Sequence, residues 1–434
     1  MDKMADVLGR AGAWCGQNKY LSAIKNAFQN FMPLTIVGAI GVLWCNVLVN
    51  DQTGLGLFFK PIMALDFLNP AFQAVNFCTI SCITVGITLG IAQEIGVWNM
   101  GAERAGYIPG LVGLAAWLSV TNTSHMVDGA KEAFTGIAGN ELGATGLFTG
   151  MIIGVLSVEL FCFFEKQDAL KIKMPEQVPP GVARAFEVLV PATITLIITA
   201  CIGSACYNLT GLYLNDVIKN GIQGPLGAVG ATIPGVMIIY LVIMLFWLVG
   251  IHGNNMLSAV KEALFTPLAL ENVEKFNKGE KPTNIINMYA LQMWGEFGGS
   301  GVTIGLVIAI MIFGKREDNK AIATLSLVPG LFNINETVTF GIPMVLNPIL
   351  GIPFVVAPLI TIIIGYVLTV IGFCPVACLT VPWTTPPIVF GFLACGANVM
   401  GAVTQAILIV VSTVIYVPFL ISYEKYQNKQ AAEA

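Results

Sequence analysis

Apolar stretches long enough to cross the roughly 30 Å hydrocarbon core of a bilayer recur along this chain. They run from Phe31 to Val49, Gly146 to Phe164, Val188 to Ile202, Ala231 to Ile251 and Ala402 to Ile421. In hydrocarbon a helix satisfies its own backbone hydrogen bonds, so several of these segments are predicted to be transmembrane helices. Composition agrees: 56% of the 434 residues are hydrophobic and only 11% are charged, far from the balance of a soluble domain. The formal charge of -4, without a basic run interleaved with aromatics, excludes a nucleic-acid surface.

Charge placement sets the topology. Lys3, Arg10, Lys19 and Lys25 lie among apolar residues in 1–30, which reads as an amphipathic cytoplasmic lead-in. The apolar segment that follows is too long for a cleavable signal peptide. Further basic residues concentrate in Glu165 to Arg184 (Lys166, Lys171, Lys173, Arg184), in Lys275 to Lys281, in Lys315 to Lys320 and at Lys425 and Lys429. The positive-inside rule makes those segments, and both termini, cytoplasmic. Asn50 to Phe72, Thr121 to Ala144 and Gly211 to Gly227 carry one basic residue each, Lys60, Lys131 and Lys219, and are predicted to lie outside. Pro175, Pro179, Pro180 and Gly181 mark a cytoplasmic linker between packed units, with a boundary there or one helix pair later. The division adopted is 1–30, 31–215 and 216–434.

Of the ten cysteines, nine sit in apolar runs at Cys45, Cys78, Cys82, Cys162, Cys201, Cys206, Cys374, Cys378 and Cys395. Their spacings match no zinc or redox motif, so they read as small buried hydrophobes. Neither a Walker A loop nor a dinucleotide fingerprint occurs. No metal or cofactor is expected, and any energy source is a partner or a gradient.

The second half is broken by Gly and Pro at Pro282, Gly298 to Gly301, Pro329-Gly330, Gly341, Pro343, Pro348, Pro382, Pro386 and Pro387. Broken backbone at membrane depth survives only where protein buries it or where it lines a wet cavity, so re-entrant hairpins and the functional site are predicted here. Glu336 is the only charged side chain between Lys320 and Glu424. A carboxylate at that depth costs a few kcal/mol or more unless solvated or paired, which makes Glu336 a functional candidate.

Asn333 and Asn335 flank the acid, with amides able to hydrogen-bond several ligand hydroxyls or to cap broken helices. His252 ends a long apolar run and is followed by Gly253, Asn254 and Asn255, a break that can turn ring and amides toward a cavity. His125 lies in a polar outer loop and reads as a surface residue. Trp383 sits in Val381-Pro-Trp-Thr-Thr-Pro-Pro387, an extended segment whose indole can stack on a pyranose ring or sit in an interfacial belt. Glu296 and Arg104 are further polar residues beside apolar runs; Arg104 can equally be a cytoplasmic flank charge.

Pro329-Gly-Leu-Phe-Asn-Ile-Asn-Glu336, followed by Phe340-Gly-Ile-Pro-Met-Val-Leu-Asn-Pro348, resembles the signature loop of the enzyme IIC proteins of the lactose/cellobiose/diacetylchitobiose branch of the bacterial phosphotransferase system. Gly250-Ile-His-Gly253, Gly298-Gly-Ser-Gly-Val-Thr-Ile-Gly305 and Pro382-Trp-Thr-Thr-Pro386 agree in order and spacing, as do Ala23-Ile-Lys-Asn-Ala-Phe and Phe31-Met-Pro-Leu-Thr. The resemblance implies an all-α polytopic protein of about ten transmembrane helices plus two re-entrant hairpins, homodimeric, in the bacterial inner membrane. Its N-terminal part would dimerise and its C-terminal part would carry a disaccharide across as a largely rigid body. The family's glutamate falls on Glu336, its histidine on His252, its asparagine loop on Asn333 and Asn335, and its sugar-stacking tryptophan on Trp383. Asn254, Asn255 and Arg104 are weaker candidates for sugar contact.

The implied activity is presentation of the sugar C6-OH to a phosphocysteine on a separate enzyme IIB, with no enzyme IIB domain attached to this chain. Glu336 would accept the hydroxyl proton and His252 would orient the acid or stabilise developing charge. Two other readings stand beside it. One is a proton-coupled secondary sugar transporter protonated at Glu336; the other is an intramembrane transferase acting on a lipid-linked substrate.

Overall fold

The computed structural model describes residues 10, 14, 17–51, 55–125, 134–175, 177–225, 230–342 and 344–433. Much of the amphipathic lead-in, including Lys3, together with Lys131 and Pro343, lies outside the described residues. Among the described residues the chain is helical, apart from a two-stranded hairpin that pairs Ser124–His125 with Phe134–Thr135. Among the described residues, six helical segments are long and apolar enough to cross a bilayer: Lys19–Leu48, Lys60–Met100, Ala144–Glu165, Pro180–Thr210, Gly351–Val370 and Val399–Glu433. Met288–Val302 with Ile304–Phe313 forms a further span bent by 60°, and Ile108–Val120 and Ile233–Leu248 are shorter apolar helices. The all-α multi-pass architecture is the one the sequence predicts, and the span number exceeds six only by counting bent and short helices.

The chain divides into two compact units, one of Gln17–Gly38 and Ala74–Gly227, the other containing Ala39–Gln73 and Ala228–Ala434. In the first lie α1 (Lys19–Leu43, in its initial part), α2 (Ile83–Met100), α3 (Ile108–Val120), α4 (Ala144–Glu165) and α5 (Pro180–Thr210). Lipid tails are as apolar as leucine, so these helices gain by close backbone approach rather than by hiding from water. Small residues supply it: Gly96 faces Pro109, Gly113 faces Ala92 and Gly154, and Gly150 faces Thr88. Trp117, only 1% exposed, packs with Ala116, Val120 and Ile153 beside these contacts. At the helix ends Arg104 and Arg184 both pair with Glu165 and Glu187, at 2.8–3.0 Å.

The second unit holds α6 (Ile233–Leu248), α7 (Ser258–Asn277), α8 (Met288–Gly295), α9 (Ile304–Phe313), α10 (Glu317–Leu331), α11 (Glu336–Gly341), α12 (Gly351–Val370), α13 (Val389–Ala394) and α14 (Val399–Glu433). Many of these end inside the apolar body, where their terminal amides need partners. Buried polar side chains provide them. Gln405 on α14 accepts from Ile388 N and Gly391 N at 2.7 Å each and donates to Met293 O at 3.2 Å, which anchors the start of α13. Asn272 accepts from Thr283 N and Asn284 N and donates to Asn284 O and Ala377 O. Glu424, 5% exposed, accepts from Lys315 N at 2.9 Å and from Asn319 Nδ2 at 3.2 Å, tying the approach to α10 onto α14. The nine described cysteines are free thiols.

A Cβ at Gly113 would collide with Ala92 and come within 3.9 Å of the Gly154 backbone. Gly113→Leu is therefore expected to destabilise the first unit by about 1–3 kcal/mol, the usual cost of overpacking, read as a lowered melting temperature in detergent. An unchanged melting temperature would show that the glycine contacts carry no packing weight.

Candidate functional site

Four breaks in helical backbone build this site, all within the second unit. The first follows α6. Gly250, at φ +79°, turns the chain out of the helix, and His252 then caps the short helix Gly253–Met256. A Cβ on Gly253 would strike the Ile243 backbone, so glycine lets the turn fold back this tightly. The Asn255 backbone N–H donates to His252 Nδ1 at 3.2 Å, and the Trp247 ring lies 4.4 Å from the imidazole. A ring nitrogen that accepts carries no proton, so the neutral imidazole holds its hydrogen on Nε2.

The second break, between α8 and α9, is Gly298 to Gly301. Gly298, Gly299 and Gly301 have φ of +69°, +86° and +79°, and a Cβ at Gly299 would run into the Asn335 side chain. Tyr416 OH donates to Gly301 O at 2.8 Å. The third break separates α10 from α11 at Asn333, itself at φ +62°. The fourth is the non-helical stretch through Trp383 to Ile388, where the sequence predicted extended chain but the prolines make turns: Thr385 N donates to Pro382 O at 2.9 Å and Ile388 has φ +75°.

Amides tie the breaks together. Asn333 Oδ1 accepts from Gly298 N at 2.6 Å, and its Nδ2 donates to Thr385 O at 3.1 Å and to Trp383 O. Asn335 Nδ2 donates to Ser300 O at 2.7 Å. Asn254 Nδ2 donates to Ser300 Oγ at 3.0 Å. These ties bring Glu336, at the start of α11, to a place where its Oε1 lies 3.9 Å from His252 Nε2, with the side chains 48% and 38% exposed. The protonated ring nitrogen thus faces the carboxylate across a gap too long for a direct hydrogen bond.

The fold gathers His252, Asn254, Asn333, Asn335 and Glu336 into one constellation and links the Trp383 backbone to it; the Trp383 side chain is 44% exposed. Asn255 enters through its backbone N–H, and its side chain is exposed. Arg104 belongs to the first unit, where Glu165 and Glu187 take up its charge. His125 lies in the hairpin, its ring 5.6 Å from Phe134.

One part of the constellation was not legible beforehand. Lys261 on α7, 5% exposed, forms an ion pair with Glu296, which also accepts from Tyr240 OH at 2.7 Å. Lys261 Nζ also reaches Asn254 Oδ1 at 3.4 Å. Lys261 escapes notice because α7 also carries Glu262, Glu271, Glu274 and Lys275, so its charge lacks the isolation that marks Glu336.

A multi-pass bundle whose broken helices hold a half-exposed carboxylate and imidazole together is the build of a membrane permease. The chain belongs to the phosphotransferase system EIIC family, whose model matches residues 25–358. It is 30% identical to the cellobiose-specific EIIC component of Lactococcus lactis, over 98% of each chain. It is also 31% identical to the lactose-specific EIICB component of Streptococcus mutans, over 96% of this chain and 71% of that one. The crystal structure of the transporter ChbC, the IIC component of the N,N'-diacetylchitobiose-specific phosphotransferase system, superposes with a TM-score of 0.88 at 29% identity, over 97% of both chains. The resemblance carried by the sequence motifs is thereby borne out, and the protein is a membrane component of a sugar phosphotransferase system.

Asn333→Ala would orphan the Gly298 N–H and release two carbonyls, so a stability loss of about 1–3 kcal/mol is expected from the unmade hydrogen bonds. Asn255→Ala, which removes an exposed amide, is expected to stay within about 0.5 kcal/mol of the parent. Thermal unfolding of the two purified variants checks the contrast.

Proposed function

We propose that this chain binds a disaccharide of the cellobiose or diacetylchitobiose type, moves it across the cytoplasmic membrane, and presents its C6-OH to a phosphocysteine on enzyme IIB. The observation that carries the reading is the 3.9 Å separation of His252 Nε2 and Glu336 Oε1. A hydroxyl oxygen about 2.8 Å from both atoms can accept from the ring N–H while it donates to the carboxylate. At this separation the hydroxyl oxygen sits beside the line joining the two atoms, not between them.

In the reaction the hydroxyl oxygen attacks phosphorus, the S–P bond to the donor cysteine breaks, and the hydroxyl proton passes to Glu336. His252 keeps its proton and holds the attacking oxygen in place. Phosphoryl transfer asks for little covalent help from the protein that holds the acceptor, so in-line positioning supplies most of the acceleration. Trp383 stacks on a sugar ring, whose C–H face complements the indole. Asn333 serves as frame, because both of its amide donors are spent on Trp383 O and Thr385 O, whereas Asn254 and Asn335 each spend one on Ser300 and keep one that can reach a sugar hydroxyl. Arg104 holds helix ends together in the first unit.

The same reading makes the first unit the scaffold of a homodimer and the second the moving transport part, with both termini cytoplasmic. The lactose EIICB relative combines both components under one name, which supports enzyme IIB as the working partner.

In membrane vesicles, sugar phosphate is expected to accumulate inside only when phosphorylated enzyme IIB is present, and protonophores are expected to leave uptake unchanged. Unmodified sugar arriving and stopping when the gradient collapses would instead establish a symporter protonated at Glu336. Glu336→Gln is expected to keep sugar affinity within about tenfold while phosphorylation falls by about 10²–10⁴-fold, the usual weight of a general base. Titration calorimetry and a phosphoryl-transfer assay measure the two quantities separately.

A further inference from the structure

Beyond the sugar-facing pair, the second unit buries a charged pair to which the proposed reaction assigns no role. Lys261 and Glu296 come from α7 and from the break between α8 and α9, and Tyr240 on α6 donates to the same carboxylate oxygen at 2.7 Å. Lys261 Nζ also stands 5.5 Å over the Tyr240 ring. From this pair a run of hydrogen bonds leads outward. Lys261 holds Asn254 Oδ1, Asn254 Nδ2 holds Ser300 Oγ, and Ser300 O accepts from Asn335. Asn254 lies two residues after His252, and Asn335 immediately precedes Glu336.

We infer that the Lys261–Glu296 pair positions the reacting groups: it fixes the separation of His252 and Glu336 through Asn254, Ser300 and Asn335. Both arms of the constellation end on Ser300, one at its hydroxyl and one at its carbonyl. Ser300 lies four residues from Glu296 in the same glycine-rich break, so the pair sets where that break sits. Stability alone does not account for a buried ion pair, since well-packed apolar residues of similar volume commonly replace one without loss. Definition of geometry is what such a replacement would remove. This inference rests on the proposed role of Glu336 as proton acceptor, and it adds Lys261, Glu296 and Tyr240 as positioning residues that do not touch the sugar.

The test compares three proteins, each checked for folding by thermal unfolding: the double variant Lys261→Met with Glu296→Leu, the single variant Asn254→Ala, and Glu336→Gln. Affinity for cellobiose and for diacetylchitobiose is measured by calorimetry, and phosphoryl transfer from phospho-enzyme IIB by single-turnover kinetics. The double variant and Asn254→Ala are expected to bind whichever sugar the parent binds within about tenfold of the parent affinity. Their transfer is expected to slow by about 10²-fold, as a misplacement of roughly 1 Å does. Added to Glu336→Gln, either change is expected to slow the residual reaction little further, because both act through that carboxylate. Should the double variant fail to fold, Asn254→Ala carries the test alone, since it cuts the same link and leaves the contacts of Glu296 with Lys261 and Tyr240 in place. Parent-like transfer by folded variants, or losses that multiply with Glu336→Gln, overturns the positioning role. Parent-like transfer by Glu336→Gln itself overturns the proton-acceptor reading instead.

Discussion

Everything in the second unit depends on finding hydrogen-bond partners for backbone that leaves the helix inside an apolar body. An amide stranded in hydrocarbon costs several kcal/mol, and this unit breaks its helices repeatedly. Asn272, Asn287, Asn333, Asn335 and Gln405 meet the demand with side-chain amides, which can donate and accept at once. Each touches backbone far away in sequence, so satisfying one break fixes its position relative to another. Cohesion and the placement of His252 and Glu336 therefore come from the same bonds.

The first unit solves a different problem. Its helices are mostly continuous, so backbone satisfaction is automatic, and the remaining task is to bring helices close in a solvent that gives them no reason to associate. Gly96, Gly113, Gly150 and Gly154 do so through contacts with Pro109, Ala92 and Thr88. Arg104 and Arg184 are neutralised near helix ends by Glu165 and Glu187.

How much of this could be read in advance follows from what kind of signal each residue leaves. Glu336 was legible because nothing charged surrounds it for many residues on either side. His252 was legible because glycine breaks the helix beside it. Asn333 and Asn335 were found, but which of two roles they play was open, because an amide that staples backbone and one that holds a sugar look the same in sequence. Their partners, Gly298 N, Ser300 O and Thr385 O, lie 35 to 52 residues away, and only the fold reveals them. Lys261 was missed for the opposite reason: its charge lies among others, and burial is a property of the folded chain. The span number was blurred for a related reason, since a bent pair such as Met288–Val302 with Ile304–Phe313 leaves two short apolar signatures instead of one long one.

The bond from the Asn255 main chain to His252 Nδ1 limits what the imidazole can do. A second proton on that nitrogen would set a donor opposite a donor, so the bond favours the tautomer whose hydrogen is on Nε2, the atom that faces Glu336. The pair therefore sets one donor beside one acceptor 3.9 Å apart, a match for a group that both accepts and donates a hydrogen bond.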